Sequence, residues 1–397
     1  MATVFTSKTV RDVVVGRRTA LVRVDFNVPL HRRRVVDDTR ITAALPTIRY
    51  LSEQGARVVL LSHLGRPGGK VVRGMSLKPC VAALEQALGR PVGFCPDAIG
   101  PRPRRLIAEM RWGDVLLLEN TRFYPEEEAN DRAFAAALAA LGDVFVNDAF
   151  GAAHRAHAST VGVAGFLPAV AGLLLQREVE ALSRLLEPER PFVAIIGGSK
   201  ISDKLGVLKK LVHSVDRLLV GGGMANTFLA ARGYPMGQSL VEGDKLSDAL
   251  ALMAEAKERG VELILPEDLV VAESFAEDAA SNVVAADRVP PQWRALDIGP
   301  KTVDRFSLAL QGARAVFWNG PLGVAEWPAF AHGTSGVALS VAVSPAYTVV
   351  GGGDSIAAIR KLGFAERIGH ISTGGGASLE FLEGKELPGI ACLESKA

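Results

Sequence analysis

Polar residues follow four apolar, strand-like runs in the first half of the chain, where side chains could bind a ligand. The run Ala20–Val24 ends at Asp25 and Asn27. Three later runs are followed by basic side chains: His63 with Arg66, then Arg122, then Arg155. Parallel α/β sheets bind ligands beyond the carboxyl ends of their strands. Since a planar guanidinium pairs two oxygens at once, this half predicts a site for a small polyanion.

Glycine clusters end the corresponding runs of the second half. Lys200 and Lys204 follow the first cluster, and Asp354 with Ser355 follows the third. Glycine lets backbone N–H groups approach a ligand closely, and a helix that begins there favours anions. Four clusters in one half indicate a nucleotide site; they are Gly197-Gly198, Gly221–Gly223, Gly351–Gly353 and Gly374–Gly376.

The glycine clusters match neither of two common nucleotide fingerprints. The sequence has no G-x-x-x-x-G-K-[ST] motif, and the triple-glycine loops do not continue as G-x-G-x-x-G. This argues against a P-loop NTPase and an ordinary dinucleotide dehydrogenase. A small-anion site, a phosphate site and nearby lysines fit phosphoryl transfer, which needs mainly positioning and neutralisation of charge by Mg²⁺, Lys, Arg and backbone N–H groups.

Composition is that of a globular enzyme. The 397 residues are 48% hydrophobic and 22% charged, which suits two or three domains. The net charge is +2, but residues 1–170 carry 23 Lys/Arg against 16 Asp/Glu. These basic residues form no stripe and no aromatic stacking pattern, so we expect no nucleic-acid partner. Three scattered cysteines predict neither a disulfide framework nor a zinc site.

Strand-like runs, such as Phe192–Ile196, alternate along the whole chain with segments of helical spacing, such as Lys78–Leu88 and Leu173–Leu186. This predicts an α/β fold of two doubly wound, Rossmann-like parallel-sheet domains joined by a hinge helix. We expect an N-terminal domain at 1–172, a helix and linker at 173–190 and a C-terminal domain at 191–397. The last residues are expected to pack back on the N-terminal domain.

The longest apolar stretch, Val161–Leu175, contains Pro168 and is too short for a membrane span. We expect it to form a buried helix. The first eight residues lack the long apolar segment of a secretory signal. The expected location is therefore the cytoplasm, with no membrane partner.

Ten motifs in order along the chain resemble those of the phosphoglycerate kinase family. They span essentially the whole sequence and are VRVDFNVP at 22–29, DTRI at 38–41, SHLGRP at 62–67, ENTRFY at 119–124, NDAFGAAHRAHAST at 147–160, GGSKISDKL at 197–205, GGGMANTF at 221–228, NGPLG at 319–323, GGGDS at 351–355 and STGGGAS at 372–378. The resemblance implies Mg²⁺-dependent interconversion of 1,3-bisphosphoglycerate plus ADP with 3-phosphoglycerate plus ATP, by a monomer whose domains close on the ligands.

The resemblance assigns the first half to the three-carbon substrate. Arg40 matches the catalytic arginine, a fixed cation on the transferring phosphoryl group that also binds substrate. It follows His31–Arg34, which we interpret as an exposed hairpin. His154 and His157 are expected to shape a loop without acid–base work. The other substrate-binding residues are Asp25, Phe26, Asn27, His63, Leu64, Gly65, Arg66, Arg122 and Arg155.

The resemblance assigns the second half to the nucleotide. Lys204 and the backbone of Gly375 are matched to the transferring group, and Asp354 to the Mg²⁺ ion. Lys200 and Lys204 are four apart, so a helical turn would place them on one face. The nucleotide-binding residues are Lys200, Lys204, Gly223, Asn319, Glu326, Gly352, Gly353, Asp354 and Ser355.

Two other functions stay open on the sequence. A nucleotide-binding protein without catalysis would have no use for Arg40, Lys204 and Asp354 together. A kinase of another small carboxylic acid would not need the whole set of arginines in the first half. Assay with ATP and a panel of acids separates these alternatives.

Overall fold

The computed structural model describes residues 5–396, which form two compact units. The first unit runs to Glu180 and includes residues from Glu386 onward, and the second covers Ala181–Lys385. Each unit contains one six-stranded parallel sheet, as expected of two Rossmann-like domains. The assignment of one ligand to each unit stays a prediction at this point.

The sheet of the first unit has the strand order β5-β6-β4-β1-β7-β8, and all of its pairs are parallel. Its central strands are apolar and buried, because helices cover both faces. A separate two-stranded hairpin joins β2 to β3. The strands are β1 (Thr19–Arg23), β2 (Leu30–His31), β3 (Arg34–Val35), β4 (Arg57–Leu61), β5 (Gly93–Cys95), β6 (Val115–Leu118), β7 (Val144–Asn147) and β8 (Ala169–Ala171).

The helices of this part of the chain connect successive strands. The predicted hairpin at His31–Arg34 is confirmed, and all four of its side chains are exposed. The helix predicted over Lys78–Leu88 is also present with those bounds. The helices are α1 (Thr39–Glu53), α2 (Lys78–Leu88), α3 (Pro101–Glu109), α4 (Pro125–Glu128), α5 (Arg132–Ala139) and α6 (Leu173–Ser183).

The sheet of the second unit has the order β11-β10-β9-β15-β16-β17, again with parallel pairs. A three-stranded antiparallel sheet, β13-β12-β14, adds a second layer that the sequence reading did not predict. The strands are β9 (Phe192–Ile196), β10 (Arg217–Val220), β11 (Glu262–Ile264), β12 (Asp268–Ala272), β13 (Ser281–Ala285), β14 (Arg294–Ile298), β15 (Ala315–Asn319), β16 (Tyr347–Gly351) and β17 (His370–Ile371).

Helices again follow the strands of the second unit, and none of the described helices is long and apolar enough to span a membrane. The helices are α7 (Leu205–Leu211), α8 (Gly222–Ala231), α9 (Leu246–Glu258), α10 (Pro300–Leu310), α11 (His332–Val343), α12 (Gly353–Lys361), α13 (Gly376–Leu382) and, after the chain re-enters the first unit, α14 (Pro388–Ala391).

The last residues are fastened to the first unit by specific bonds. The Asn147 side chain donates to the Gly389 carbonyl at 2.7 Å, and the Glu394 N–H donates to the Ala169 carbonyl at 2.9 Å. Glu394 also forms an ion pair with Lys8 at 2.9 Å. The end of the chain therefore belongs to the first unit.

The expectation of a buried helix over Val161–Leu175 is wrong. A short 3-10 turn occupies Gly162–Gly165, β8 follows, and α6 begins only at Leu173. Pro168 cannot donate within a helix, and the residues after it pair with β7 instead. The segment is apolar because it completes a sheet. The predicted helix Leu173–Leu186 also ends earlier, at Ser183.

Asp148 holds the beginning of α6 from the end of β7. Its Oδ1 accepts from the N–H groups of Leu174 and Leu175, at 2.9 and 3.2 Å. The carboxylate is completely buried, and this burial raises its pKa to about 6, although the two N–H groups favour the charged form. The helix start is therefore held by a carboxylate that is costly to ionise.

We expect Asp148→Asn to remove a pH-dependent loss of stability. The folded pKa lies about two units above the unfolded one, so the wild type loses about 2–3 kcal/mol as pH rises from 4 to 6. The amide oxygen of Asn can still accept both N–H bonds. The unfolding free energy of the variant minus that of the wild type, from urea denaturation, should rise over this range and level off above pH 6. A pH-independent difference would contradict the prediction.

Candidate functional site

A fully buried arginine and a histidine form the centre of the cluster in the first unit. Arg23 Nη2 lies 3.0 Å from His63 Nδ1, and His63 Nδ1 lies 4.0 Å from Asp25 Oδ1. Arginine can only donate, so His63 Nδ1 accepts and the ring is neutral. Burial and the charges of Arg23, Arg122 and Arg40 hold the His63 pKa well below its usual value. His63 is therefore a neutral hydrogen-bonding group.

Arg40 lies in the first turn of α1 and is anchored by the end of β1. Its Nη1 donates to Asp25 Oδ2 at 2.8 Å and to the Asn27 carbonyl at 3.3 Å. The guanidinium is partly exposed, whereas the Asp25 carboxylate is nearly buried. Asp25 thus fixes Arg40 while leaving part of its fork free for a ligand.

Asn27 and Arg122 fix the loop that follows β4. The Gly65 N–H donates to Asn27 Oδ1 at 2.9 Å, and Arg122 Nη1 donates to the Gly65 carbonyl at the same distance. Arg122 Nε also lies 3.2 Å from the Glu128 carboxylate. The N–H and the carbonyl of Gly65 are therefore both fixed by side chains.

The remaining basic residues stand around this loop. Arg155 is partly buried, and its Nε lies 3.1 Å from His154 Nε2. Its positive charge contributes to lowering the pKa of Arg122. Arg66 follows Gly65 and is exposed. Burial and the charges of Arg122, Arg23 and Arg155 lower the pKa of His157 to about 4, so it stays neutral at physiological pH. This supports a structural role for that histidine.

Phe26 and Leu64 are core residues as far as their side chains are concerned. Both belong to the buried apolar cluster of the first unit. The Phe26 N–H donates to Ser62 Oγ at 2.8 Å, and the Leu64 carbonyl accepts from Asn120 at 2.7 Å. Their side chains are not available to a ligand, so any contribution to binding comes from the backbone.

The sequence reading missed Arg23 and its partner Glu127. Arg23 Nε donates to Ser159 Oγ at 2.8 Å. Glu127, completely buried, accepts from Ser159 Oγ at 2.5 Å and from Thr121 Oγ1 at 3.2 Å, and its charge stabilises Arg23. The available signal was an arginine inside an apolar strand, which must be paired if the strand is buried.

The second unit contains a cavity of about 670 Å³ at the carboxyl ends of its parallel strands. Its wall includes seven of the nine residues predicted to bind nucleotide: Lys200, Lys204, Gly223, Asn319, Glu326, Gly352 and Asp354. The other two begin α12, where Gly353 is exposed and Ser355 is buried with no hydrogen-bond partner for its Oγ among the described residues. The volume is in the range of small-molecule sites.

Lys204 is the most constrained cation of this cavity. Its Nζ donates to the Gly197 carbonyl at 2.6 Å and to Asn319, through the carbonyl at 2.9 Å and through Oδ1 at 2.8 Å. Burial lowers its pKa to about 8, against the opposing charges of Asp203 and Asp354. A side chain at Gly320, where φ is +95°, would overlap both Lys204 Nζ and the Gly197 carbonyl.

Lys200 and Lys204 do not share a helical turn. Lys204 is the N-cap of α7, and Lys200 lies before it in an exposed loop. Both nevertheless line the cavity. The loop before α7, rather than a shared helical turn, places both side chains at the cavity.

Asp354 stands in the first turn of α12, where Gly352 is the N-cap with a φ of +88°. Partial burial and the carboxylate of Glu326 raise the pKa of Asp354, while Lys204 lowers it. Gly375, with a φ of +53°, likewise caps α13. Two carboxylates and two helix starts in one unit suit a phosphate chain that carries a cation.

Comparison with known proteins decides the family. The phosphoglycerate kinase family model matches residues 10–385. The chain belongs to the phosphoglycerate kinase family. Its relatives include the phosphoglycerate kinase of Moorella thermoacetica, 59% identical over 98% of this chain and 99% of the relative, and that of Roseiflexus castenholzii, 57% identical over 97% and 98%.

Solved phosphoglycerate kinases have the same fold. The Coxiella burnetii structure is 43% identical with a TM-score of 0.84, and the Pyrococcus horikoshii OT3 structure is 33% identical with a TM-score of 0.85. Each comparison covers 97% of this chain and 98% of the other. The activity is accordingly that of a phosphoglycerate kinase: phosphoryl transfer between 1,3-bisphosphoglycerate and ADP, giving 3-phosphoglycerate and ATP in glycolysis.

We expect Lys204 to react as a lysine of lowered pKa. Burial disfavours its charged form, so about half of the Lys204 amines are neutral at pH 8, whereas an exposed lysine needs a pH above 10. The rate of Lys204 acetylation, measured by mass spectrometry of the kinase over pH 6–10, should therefore have a midpoint near 8. Exposed Lys257 is the internal control. A midpoint near 10 at Lys204 would contradict this.

Proposed function

We propose that the two clusters divide the phosphoglycerate kinase reaction between them. In the proposal, the residues around His63 bind the three-carbon acid and the cavity around Lys204 binds the nucleotide. The observation that carries it is the cavity, which combines a nucleotide-sized volume with a buried lysine and glycine-rich strand ends. The charges of the first unit support it, since arginines suit an anion with a carboxylate and a phosphate.

The chemistry needs no general base. The nucleophile is the carboxylate of 3-phosphoglycerate, which has lost its proton at neutral pH. One of its oxygens forms a bond to the terminal phosphorus of ATP while the bond to the ADP oxygen breaks. The lowered pKa values of His63 and His157 are consistent with this, because they make both imidazoles poor proton acceptors at neutral pH.

Charge neutralisation is the main work of the residues that we assign to the transferring group. Arg40 supplies a fixed cation, and Lys204 supplies an ammonium that a polyphosphate would keep protonated. The N–H groups after Gly375 would donate to the oxygens in transfer. In-line transfer needs reacting atoms about 3 Å apart. Closure of the domains would bring them together, and X-ray scattering with both ligands would detect it as compaction.

Asp354 is the residue that we assign to Mg²⁺. No group of three or more His, Cys, Asp or Glu side chains in the described residues could hold a metal ion. Mg²⁺ keeps several waters and commonly binds one or two carboxylates together with substrate phosphates, so a single carboxylate beside the phosphate chain is enough for the assignment. When bound, the ion would neutralise charge on the phosphates. We also infer that the kinase acts as a monomer, because a single chain carries every assigned residue, and sedimentation would test this. The location that we propose for it, as a glycolytic enzyme, is the cytoplasm.

We expect Arg40→Ala to lower turnover by about 10³-fold or more in an assay with ATP and 3-phosphoglycerate. The fixed cation on the transferring group is lost, and comparable arginines have effects of that size. The control is Arg34→Ala, which removes an exposed charge of the hairpin and should leave turnover unchanged. Near-normal turnover of Arg40→Ala would contradict the role of Arg40 at the transferring phosphoryl group. A wild type without activity in this assay would contradict the proposed division of the reaction between the two clusters.

We expect Asp354→Asn to raise the Mg²⁺ concentration needed for half-maximal activity by about tenfold, because the substitution removes the charge that holds the ion. Chelation of divalent ions should abolish activity of the wild type. The control is Asp244→Asn, an exposed carboxylate outside the cavity wall. An unchanged Mg²⁺ requirement in Asp354→Asn would contradict the assignment.

A further inference from the structure

Arg294 is a cation of the nucleotide cavity that the phosphate chemistry does not use. It lines the cavity and is half-buried, and its Nε is hidden from solvent without a hydrogen-bond partner among the described residues. None of the hydrogen bonds or ion pairs between described side chains includes its guanidinium. A buried donor without a partner costs free energy, so its position in a cavity wall indicates an acceptor on the ligand.

The surroundings of Arg294 are those of a base rather than of phosphates. It opens β14 in the antiparallel sheet, opposite Ala272, whereas Lys204 is bonded to the ends of the parallel strands β9 and β15. Four apolar side chains of the cavity wall come from this sheet, from the loop after β12 and from the segment bonded to β14: Leu269 and Leu296, Phe275, and Leu240.

Two hydrogen bonds make this apolar wall a built surface. The Gln238 N–H donates to the Trp293 carbonyl at 2.8 Å, and the Ala295 N–H donates to Ser239 Oγ at 2.9 Å. They fix the segment before Leu240 along the strand that carries Arg294. Apolar side chains with one convergent polar group are the usual lining for a flat heterocycle. With phosphates at Lys204, the base is the part of a nucleotide that belongs here.

The donor pattern of a guanidinium distinguishes between purines. Arginine has five N–H donors and no acceptor. Guanine and hypoxanthine present two adjacent acceptors, O6 and N7, which match two parallel N–H groups. Adenine presents N7 beside the N6 amino group. The arginine can donate to N7, but its second N–H then faces the N–H of the amino group, and two donors cannot form a hydrogen bond.

We propose that Arg294 reads the O6/N7 edge of the base, and that this kinase uses 6-oxopurine nucleotides at least as efficiently as adenine nucleotides. The inference rests on the proposed function, because it takes the cavity around Lys204 as the nucleotide site. It makes Arg294 a residue that determines specificity, in direct contact with the base.

The test compares ATP, GTP and ITP as phosphoryl donors to 3-phosphoglycerate in the wild type and in Arg294→Met. Methionine keeps an unbranched apolar stem, so the wall stays packed. The wild-type ratio of kcat/KM for GTP to that for ATP should be one or more, and it should fall about tenfold in the variant, mainly through KM. ITP should follow GTP, since it shares O6 and N7 and lacks only the 2-amino group.

Two further variants complete the design. Arg294→Lys keeps the charge but loses the fork, so its ratio should also fall. Arg288→Met removes an exposed arginine outside the cavity wall and should keep the wild-type ratio. A wild-type ratio below one, an unchanged ratio in Arg294→Met and Arg294→Lys, or an equal loss for GTP and ATP would overturn the inference. A wild type inactive with all three nucleotides would overturn the proposed function, and this inference with it.

Discussion

Both clusters depend on holding cations together before any anionic ligand arrives. Like charges repel, and burial makes each of them more costly. The first unit meets this constraint with carboxylates: Glu127 for the buried Arg23, Asp25 for Arg40 and Glu128 for Arg122. Glu127 and Glu128 are neighbours in α4, whereas Asp25 follows β1, and the three arginines lie on β1, on α1 and in the turn after β6. The charge balance of the site is therefore part of the tertiary structure.

The second unit meets the same constraint without a carboxylate in direct contact. The Lys204 ammonium is surrounded by oxygens of Gly197 and Asn319, which are dipoles rather than charges. Dipoles compensate an ammonium only in part, which is why its pKa is lowered. A bound polyphosphate would supply the missing negative charge. The first unit thus neutralises its cations mainly with its own carboxylates, whereas the second unit leaves more of this neutralisation to a bound ligand.

Much of this was predictable, because continuous apolar runs bounded by polar residues or glycine specify buried parallel strands. The run Phe192–Ile196 forms β9 with those bounds. The misses have physical causes. Val161–Leu175 has the apolarity of a buried helix, and only pairing with β7 makes part of it a strand. The strands of the antiparallel sheet are mixed in composition, and β13 is largely exposed, so its sequence carries no strong pattern.

The residues of the candidate site also include some that the sequence predicted and some that it did not. The motifs predicted that Lys204, Asn319 and Asp354 would be close together, and they line one cavity. They could not predict Arg23 or Arg294, because the role of each depends on its surroundings. Arg23 is significant because Glu127 is buried beside it, and Arg294 because nothing in the described chain pairs with it. Pairing is a property of the fold that residue type alone does not reveal.

The return of the last residues to the first unit separates the order of synthesis from the order of folding. The second unit is one continuous segment, so it has all of its residues before the chain is complete. The first unit waits for Gly389 and Glu394, which bond to Asn147 and Ala169, 242 and 225 positions earlier in the chain. The half that is made first is therefore the last to acquire its full set of contacts.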